Sequence, residues 1–341
     1  MQDPPDLDAL RTQLCDAFAE AIAKVRPLAL GHDADADVFE AIGRSTERYF
    51  VKRKRGPMEP AGALIARLLR DSGIGEVVAP LPTRTGELWA ESGDTCLLVY
   101  PFVEGRSAWG SGLTDAQWRL LGVALRRMHE VRVPADVAAV VQRETFSPWA
   151  RTLVRTVVNT ATTARPSSAA RAALERMMHE RCEIERVVEA ASTLSVQAAR
   201  RHPDSSAFVP CHADLHHGNL IVSDGDGISI VDWDGALLAP KERDLMFIGG
   251  NIGGIDANPE GVSRFYEGYG NHGADPVLLA YYRYERIVQD LADYCGRAFA
   301  HDLFAAKPSG EADILAAVQD LTTQFGPANV VEAADRVART I

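Results

Sequence analysis

Residues 209–234 read VPCHADLHHGNLIVSDGDGISIVDWD. An Asp (Asp214) follows His212 by two positions, Asn219 lies five residues beyond it, and Asp232 eighteen beyond it. Two β-branched runs, Leu220-Ile221-Val222 and Ile228-Ser229-Ile230-Val231, flank Ser223-Asp224-Gly225-Asp226-Gly227. Asp-Gly between alternating apolar residues signals a hairpin. The spacing therefore puts Asp214 and Asn219 on the loop entering one strand, and Asp232 just past the end of the next. Folding the hairpin back brings Asn219 and Asp232 together. Two oxygen donors beside a free carboxylate suit Mg²⁺ carrying phosphate, because that hard cation takes few protein oxygens and leaves room for substrate.

This pattern resembles the catalytic and metal loops of the aminoglycoside phosphotransferase family, enzymes of protein-kinase-like fold, where the loop runs H-x-D-x-x-x-x-N. Here it reads His212-Ala213-Asp214-Leu215-His216-His217-Gly218-Asn219. The segments Asp232-Trp233-Asp234-Gly235 and Ala239 to Phe247 look most like the spectinomycin phosphotransferase branch. The resemblance implies an α+β, two-lobed fold with a small β-rich N-lobe and a larger, mainly helical C-lobe. It implies Asp214 as the catalytic residue that orients the acceptor hydroxyl. Asn219 and Asp232 would be metal ligands, with Asp234 as a further metal candidate. His212 and Asp244 are expected to support the loops structurally, Asp244 by capping a helix start.

Composition is consistent with such an enzyme. A chain of 341 residues with 46% hydrophobic content can build a large core around one cleft. The net charge of −11 argues against nucleic acid or an anionic membrane as partner and is compatible with a cationic small molecule; solubility alone can also account for it. Five scattered cysteines without CxxC spacing point to a reducing compartment. The first residues show no signal-peptide pattern, and no apolar run is long enough for a membrane span. A cytoplasmic protein, monomeric or homodimeric, is expected.

Along the chain, residues 7–25 show helical spacing through Leu7, Leu10, Leu14, Phe18 and Ile22. Five short strands are expected at 28–30, 38–42, 49–52, 88–90 and 95–100, with a helix at 61–70 between the third and fourth. From Pro101 the pattern turns helical, which places a nucleotide-binding lobe at 1–103 and a lobe carrying the catalytic loops and acceptor site at 104–341. Thr114 and Gln117 form a capping box for a helix over 115–130. Further helices are expected at 148–163 and 168–200, then at 243–249, 260–269, 275–300 and 310–323, and after Pro327.

Neither a P-loop nor a GxGxxG fingerprint is present. The segment Gly31 to Asp37, with Asp35 at its centre, resembles the loop that covers phosphates in the family, and would bind through backbone N–H groups. Lys52 stands where the family's lysine reaches the α- and β-phosphates. The helix after it contains no glutamate, so Glu59 is its candidate partner. Tyr100 and Phe102 would flank an adenine; both could equally be core aromatics. Tyr281, Glu285 and Asp293 share a four-residue repeat and are candidates for an amine-bearing acceptor, or for a solvated helix face.

The function implied is transfer of the γ-phosphoryl of ATP or GTP, with Mg²⁺, to a hydroxyl of an aminoglycoside or aminocyclitol antibiotic, conferring resistance. Alternatives are a kinase of another antibiotic, sugar or amino-alcohol on the same fold, a metallohydrolase using His212, Asp214, His216 and His217, or a non-catalytic binding module.

Overall fold

A computed structural model describes residues 6–28, 36–147, 150–160, 168–252, 258–270, 273–304, 316–317, 319–320, 325 and 330–341. The chain forms two compact units. The first comprises residues 1–142, 209–238 and 264–270; the second comprises 143–208, 239–263 and 271–341.

The first unit opens with helix α1 (Leu7–Ala17), capped by the Asp6 carboxylate, which accepts from the Asp8 and Ala9 amides at 3.0 Å each. A five-stranded antiparallel sheet follows: β1 (Ile22–Pro27), β2 (Ala36–Gly43), β3 (Arg48–Arg55), β4 (Ala90–Ser92) and β5 (Thr95–Pro101), in the order β1-β2-β3-β5-β4. The first helix is shorter than its sequence periodicity suggests. Phe18 is extended, and Ile22, which fitted the helical repeat, lies in β1. A register shift between Ile22 and Lys24 puts the inward residues Ile22 and Val25 three apart, a spacing that mimics a helix face. The first described strand is 22–27; of the strand expected at 28–30, Leu28 lies just past β1 and residues 29–30 lie outside the described residues.

Strand alternation gives β3 two chemically distinct faces. Tyr49 and Val51 join Leu10, Leu14, Phe18, Phe39 and Val99 in the core shared with α1. Phe50, Lys52 and Lys54 take the other face, with Tyr100 paired directly across from Phe50. Helix α2 (Ala61–Asp71) lies between β3 and β4 in sequence.

The predicted hairpin is present. Strands β8 (Leu220–Val222) and β9 (Ile228–Ile230) pair antiparallel with Leu220 opposite Ile230, and β6 (Arg106–Ser107) adds on the β8 side. Ile230 is tied to the segment after α2: its N–H donates to the Glu76 carbonyl (2.7 Å), and its own carbonyl accepts from Val78 N–H (3.0 Å). These bonds join 209–238 to the unit containing the sheet, so the compact units do not follow the linear division at residue 103. Helix α3 (Asp115–Glu130) starts with the expected capping box. The short α4 (Ala135–Val140) has no buried residue and gave no apolar pattern to read.

The second unit is helical: α5 (Ala150–Thr160), α6 (Ser168–His179), α7 (Arg181–Arg201), α8 (Glu242–Leu245), α10 (Pro276–Phe304) and α11 (Val330–Ala338), with α9 (Pro259–Tyr269) divided between the units. The stretch expected as one helix over 168–200 is broken between His179 and Arg181. Most of the helix expected at 310–323 lies outside the described residues. Helix α10 forms the spine, packing against α5, α7, α8 and α11. Its buried Arg283 donates to the Met246, Ile248 and Ala333 carbonyls at 3.2, 2.8 and 3.2 Å. Among the described residues, no helix is long and apolar enough to cross a membrane.

One close approach links α2 to the segment beyond the hairpin. A β-carbon on Gly62 would lie 2.4 Å from the Trp233 carbonyl oxygen. Alanine in a helix is ordinarily favoured over glycine by about 1 kcal/mol, but here the obstructing atom is backbone and cannot rotate away. Gly62→Ala should therefore destabilise the fold by about 1–3 kcal/mol. A wild-type melting temperature for this variant would show that α2 does not rest on that loop.

Candidate active site

The loop between β7 (Val209–Cys211) and β8 is shaped by one buried imidazole. His212 is 0% exposed. Its Nδ1 accepts the Asp214 backbone N–H at 3.2 Å, and its Nε2 lies 3.0 Å from the Val231 carbonyl oxygen. Because a carbonyl can only accept, Nε2 carries the proton and Nδ1 the lone pair. One side chain thus joins the loop holding Asp214 to the end of the hairpin holding Asp232. Its ring also packs against Trp233, with centroids 4.6 Å apart.

Asn219 closes the same loop. Its Nδ2 donates to the Asp214 carbonyl at 2.8 Å, and its backbone carbonyl accepts Val231 N–H at 3.0 Å. That orientation commits the amide nitrogen inward and leaves Oδ1 as the acceptor. Ala213 and Asp232 have φ of 66° and 61°, a left-handed backbone that costs L residues energy and recurs at functional sites. The hairpin fold brings Asp214, Asn219 and Asp232 together.

Lys52 reaches this cluster from β3. Its Nζ lies 3.1 Å from Asp232 Oδ1 and 2.6 Å from Asp234 Oδ2, and Lys54 Nζ lies 3.1 Å from the same Asp234 oxygen. Burial alone would raise the Asp234 carboxyl, but Lys52 and Lys54 more than offset it and hold it below the usual range. Burial alone would lower Lys52; the two carboxylates reverse the shift and raise it. Lys54 and its neighbours Arg53 and Arg55 leave the lysine's assignment open by a residue or two in the sequence; strand alternation puts Lys54 on the same face as Lys52, so both reach Asp234.

Glu59 is exposed, and Lys52 pairs with Asp232 and Asp234 instead. The expected Glu59 partnership is thus corrected: α2 begins after Glu59, and the nearer carboxylates hold the ammonium. Tyr100 meets Phe50 edge-on at 6.3 Å. Burial and the carboxylates of Asp234 and Asp232 push its phenol pKa up. Phe102 lies under the Arg48 guanidinium, 3.8 Å from its ring centroid, and its N–H donates to the Arg48 carbonyl. Gly31 and Asp35 lie outside the described residues.

In the second unit, Asp244 is fully buried inside the four-residue α8. That helix begins at Lys241 without a side-chain cap, so the expected capping role for Asp244 is corrected. Tyr281 and Glu285 are 0% and 1% exposed, whereas Asp293 is exposed and paired with Arg297 at 3.0 Å. These three do not share a surface. A four-residue step overshoots the helical turn by about 40°, so the stripe winds from the buried side of α10 into solvent.

The histidines of the alternative hydrolase do not converge. His212 bonds Val231, His216 Nδ1 accepts from Gly218 N–H at 3.0 Å, and His217 is buried beside Trp118. The carboxylates that do gather are those of Asp232 and Asp234, on Lys52, while Asn219 is held in the neighbouring loop by its bonds to Asp214 and Val231. The lysine ammoniums lying against both carboxylates show that this pocket of oxygens accommodates positive charge, and hard oxygen donors of this kind fit Mg²⁺.

The chain belongs to the phosphotransferase enzyme family, whose pattern it matches over residues 9–282. It is similar to spectinomycin phosphotransferase APH(9)-Ia, crystallised with ADP and spectinomycin. The two are 32% identical, and the match covers 99% of this chain and 100% of that one with a TM-score of 0.88. Protein StrN of Streptomyces griseus is 29% identical over 212 residues, which is 61% of this chain and 65% of StrN. The amicoumacin kinase hAmiN, 17% identical with a TM-score of 0.60 over 95% of each chain, shares the fold. The architecture is the protein-kinase-like one of this family: an N-terminal antiparallel sheet followed by a mainly helical part.

Glu285 carries a pH signature of its own. Burial raises its carboxyl to about 7, against the pull of Arg151, whose Nε lies 2.8 Å away. A raised acid binds its proton more tightly when folded, so its contribution is fully present below the ordinary value of 4.5 and is lost as pH rises through about 7. Between about pH 5 and pH 8, urea denaturation should show up to about 3 kcal/mol of stability lost with rising pH. Glu285→Gln should flatten that slope; an unchanged slope would remove Glu285 as its source.

Proposed function

We propose that this phosphotransferase moves the γ-phosphoryl group of ATP or GTP to a hydroxyl of an aminocyclitol or aminoglycoside antibiotic, and that spectinomycin is the first acceptor to test. The observation that carries the reading is the joining of Asp214, Asn219, Asp232, Asp234 and Lys52 in one cluster of the first unit. The likeness to a spectinomycin phosphotransferase along the full chain supports the acceptor class. A nucleoside triphosphate donor fits a cytoplasmic enzyme.

Phosphoryl transfer depends chiefly on positioning and charge. Asp214 accepts a hydrogen bond from the acceptor hydroxyl and aims its lone pair at the phosphorus. The His212 bond to the Asp214 N–H fixes the stretch of backbone from which that carboxylate projects. Asn219 Oδ1, Asp232 and Asp234 would hold Mg²⁺, which supplies charge neutralisation along the phosphate tail. Lys52 leaves the carboxylates for the phosphate oxygens when the donor binds, and Lys54 stays to compensate Asp234. By the family resemblance Tyr100 and Phe102 would flank the donor's base; Gly31 and Asp35, expected to act on its phosphates, lie outside the described residues.

A screen of nucleoside-diphosphate release over antibiotics and sugar alcohols, with mass spectrometry of the products, tests the reaction. Release with sugars or amino-alcohols alone would move the acceptor away from antibiotics. Asp214→Ala should lower kcat by about 10²–10⁴-fold and leave nucleotide binding intact; retained turnover would take Asp214 out of the mechanism. Lys52→Ala should weaken nucleotide binding by about tenfold or more, since a charge-assisted bond contributes about 1.5–3 kcal/mol. Unchanged affinity in calorimetry would contradict its place on the phosphates.

A further inference from the structure

Trp109 stands apart from the other tryptophans whose placement bears on the site. Trp118 and Trp233 are 4% and 2% exposed, whereas Trp109 is 59% exposed. Single exposed aromatics are common on protein surfaces; the position and mounting of this one distinguish it. It follows β6, and its neighbour Ala108 donates to the Leu220 carbonyl at 2.8 Å. Its own N–H donates to Ser107 Oγ at 3.1 Å, and that hydroxyl donates to the His217 carbonyl at 3.2 Å. The Ala108 carbonyl accepts from both Ser111 N–H and Gly112 N–H, closing a tight turn around the tryptophan.

The backbone of Trp109 is thereby tied to the loop that carries Asp214. The indole meets the His216 ring edge-on, with centroids 6.0 Å apart and planes at 88°. His216 Nε2 in turn lies 3.5 Å from Asp214 Oδ2. No side chain intervenes at Gly218: a β-carbon there would collide with the His216 ring at 2.6 Å and touch the indole at 3.7 Å. The sequence therefore keeps open the contact between an exposed indole and the ring beside the reactive carboxylate.

We infer that Trp109 is an acceptor-recognition residue, its indole forming an apolar platform beside Asp214 for the carbon-rich face of a cyclitol or amino-sugar ring. The inference rests on the acceptor class proposed above. Ring polyols point their hydroxyls outward from the rim and leave faces of C–H groups that pack on aromatic carbon. Protonated amines on such a ring are further attracted by the indole face. An aromatic side chain with few rotatable bonds on a backbone already held by hydrogen bonds has little conformational freedom to lose when a ligand covers it.

The test uses the full chain with spectinomycin as probe, comparing wild type, Trp109→Ala and Trp109→Phe. Trp109→Ala should raise both the KM and the calorimetric Kd for spectinomycin by about tenfold, with kcat and the KM for nucleotide changed less than about twofold. Trp109→Phe should restore most of the affinity, because a flat apolar ring is retained. Spectinomycin should change the tryptophan fluorescence of wild type, and the change should be lost in Trp109→Ala. Unaltered spectinomycin affinity in Trp109→Ala would overturn the platform and leave the proposed function standing. An equal loss of nucleotide affinity in that variant would also overturn it, showing that Trp109 merely braces the loop. A wild-type protein that binds nucleotide but neither binds nor phosphorylates spectinomycin would overturn the acceptor reading and the platform with it.

Discussion

The arrangement of the site depends on the His212 imidazole, which accepts a hydrogen bond from one loop and donates one to another. Its two nitrogens are not interchangeable. Protonating Nδ1 would remove the acceptor for Asp214 N–H, and moving the proton off Nε2 would set two lone pairs against each other at Val231. Fully buried and packed beside Trp233, the ring cannot satisfy either nitrogen with water. The neutral Nε2–H tautomer thus fixes the distance between Asp214 and the start of the Asp232 loop. The left-handed backbone at Ala213 and Asp232 is the local strain this closure sustains.

Electrostatics in the same unit follow from strand geometry. Alternation along β3 places Lys52 and Lys54 on one face, and both ammoniums settle on the Asp232-Trp233-Asp234 segment. Two acids and two lysines there neutralise one another without ligand. In a chain of net charge −11, the two lysines hold the Asp234 carboxyl below its usual range in spite of its burial. In the proposed reaction Lys52 would turn to the donor's phosphate oxygens, which would free Asp232 and Asp234 to hold a divalent cation. Elsewhere in the unit Glu40 shows a static version of the same pairing, buried between Arg26 and Arg48, with the Arg26 hydrogen bond foremost in holding its carboxyl below the usual range.

The helical unit treats a buried acid differently. Glu285 receives the Arg151 guanidinium on one oxygen, while its other oxygen has no hydrogen-bond partner among the described residues. Arg151 also donates to Ser195 Oγ and to the Phe146 carbonyl, so it serves three elements at once. Burial of this carboxylate outweighs its single strong pairing, which is why its shift runs opposite to that of Asp234, held by two lysines.

Sequence alone determined what local patterning can carry. The His212-x-Asp214 pattern with Asn219, the Asp-Gly hairpin, the capping box at Thr114 and the strands near 38–42, 49–52 and 95–100 all arise from neighbours a few residues apart. Periodicity misled at Ile22 because a bulge gives a strand the spacing of a helix, and at Asp293 because a four-residue repeat drifts around a long helix. Tertiary structure decided the partners. Lys52 meets carboxylates 180 and 182 residues away rather than Glu59, seven residues distant, and the Trp109 indole stands against His216 through a strand pairing across more than 100 residues. Such contacts are set by which chain segments pack together, and packing depends on the whole set of buried surfaces, which no short stretch of sequence contains.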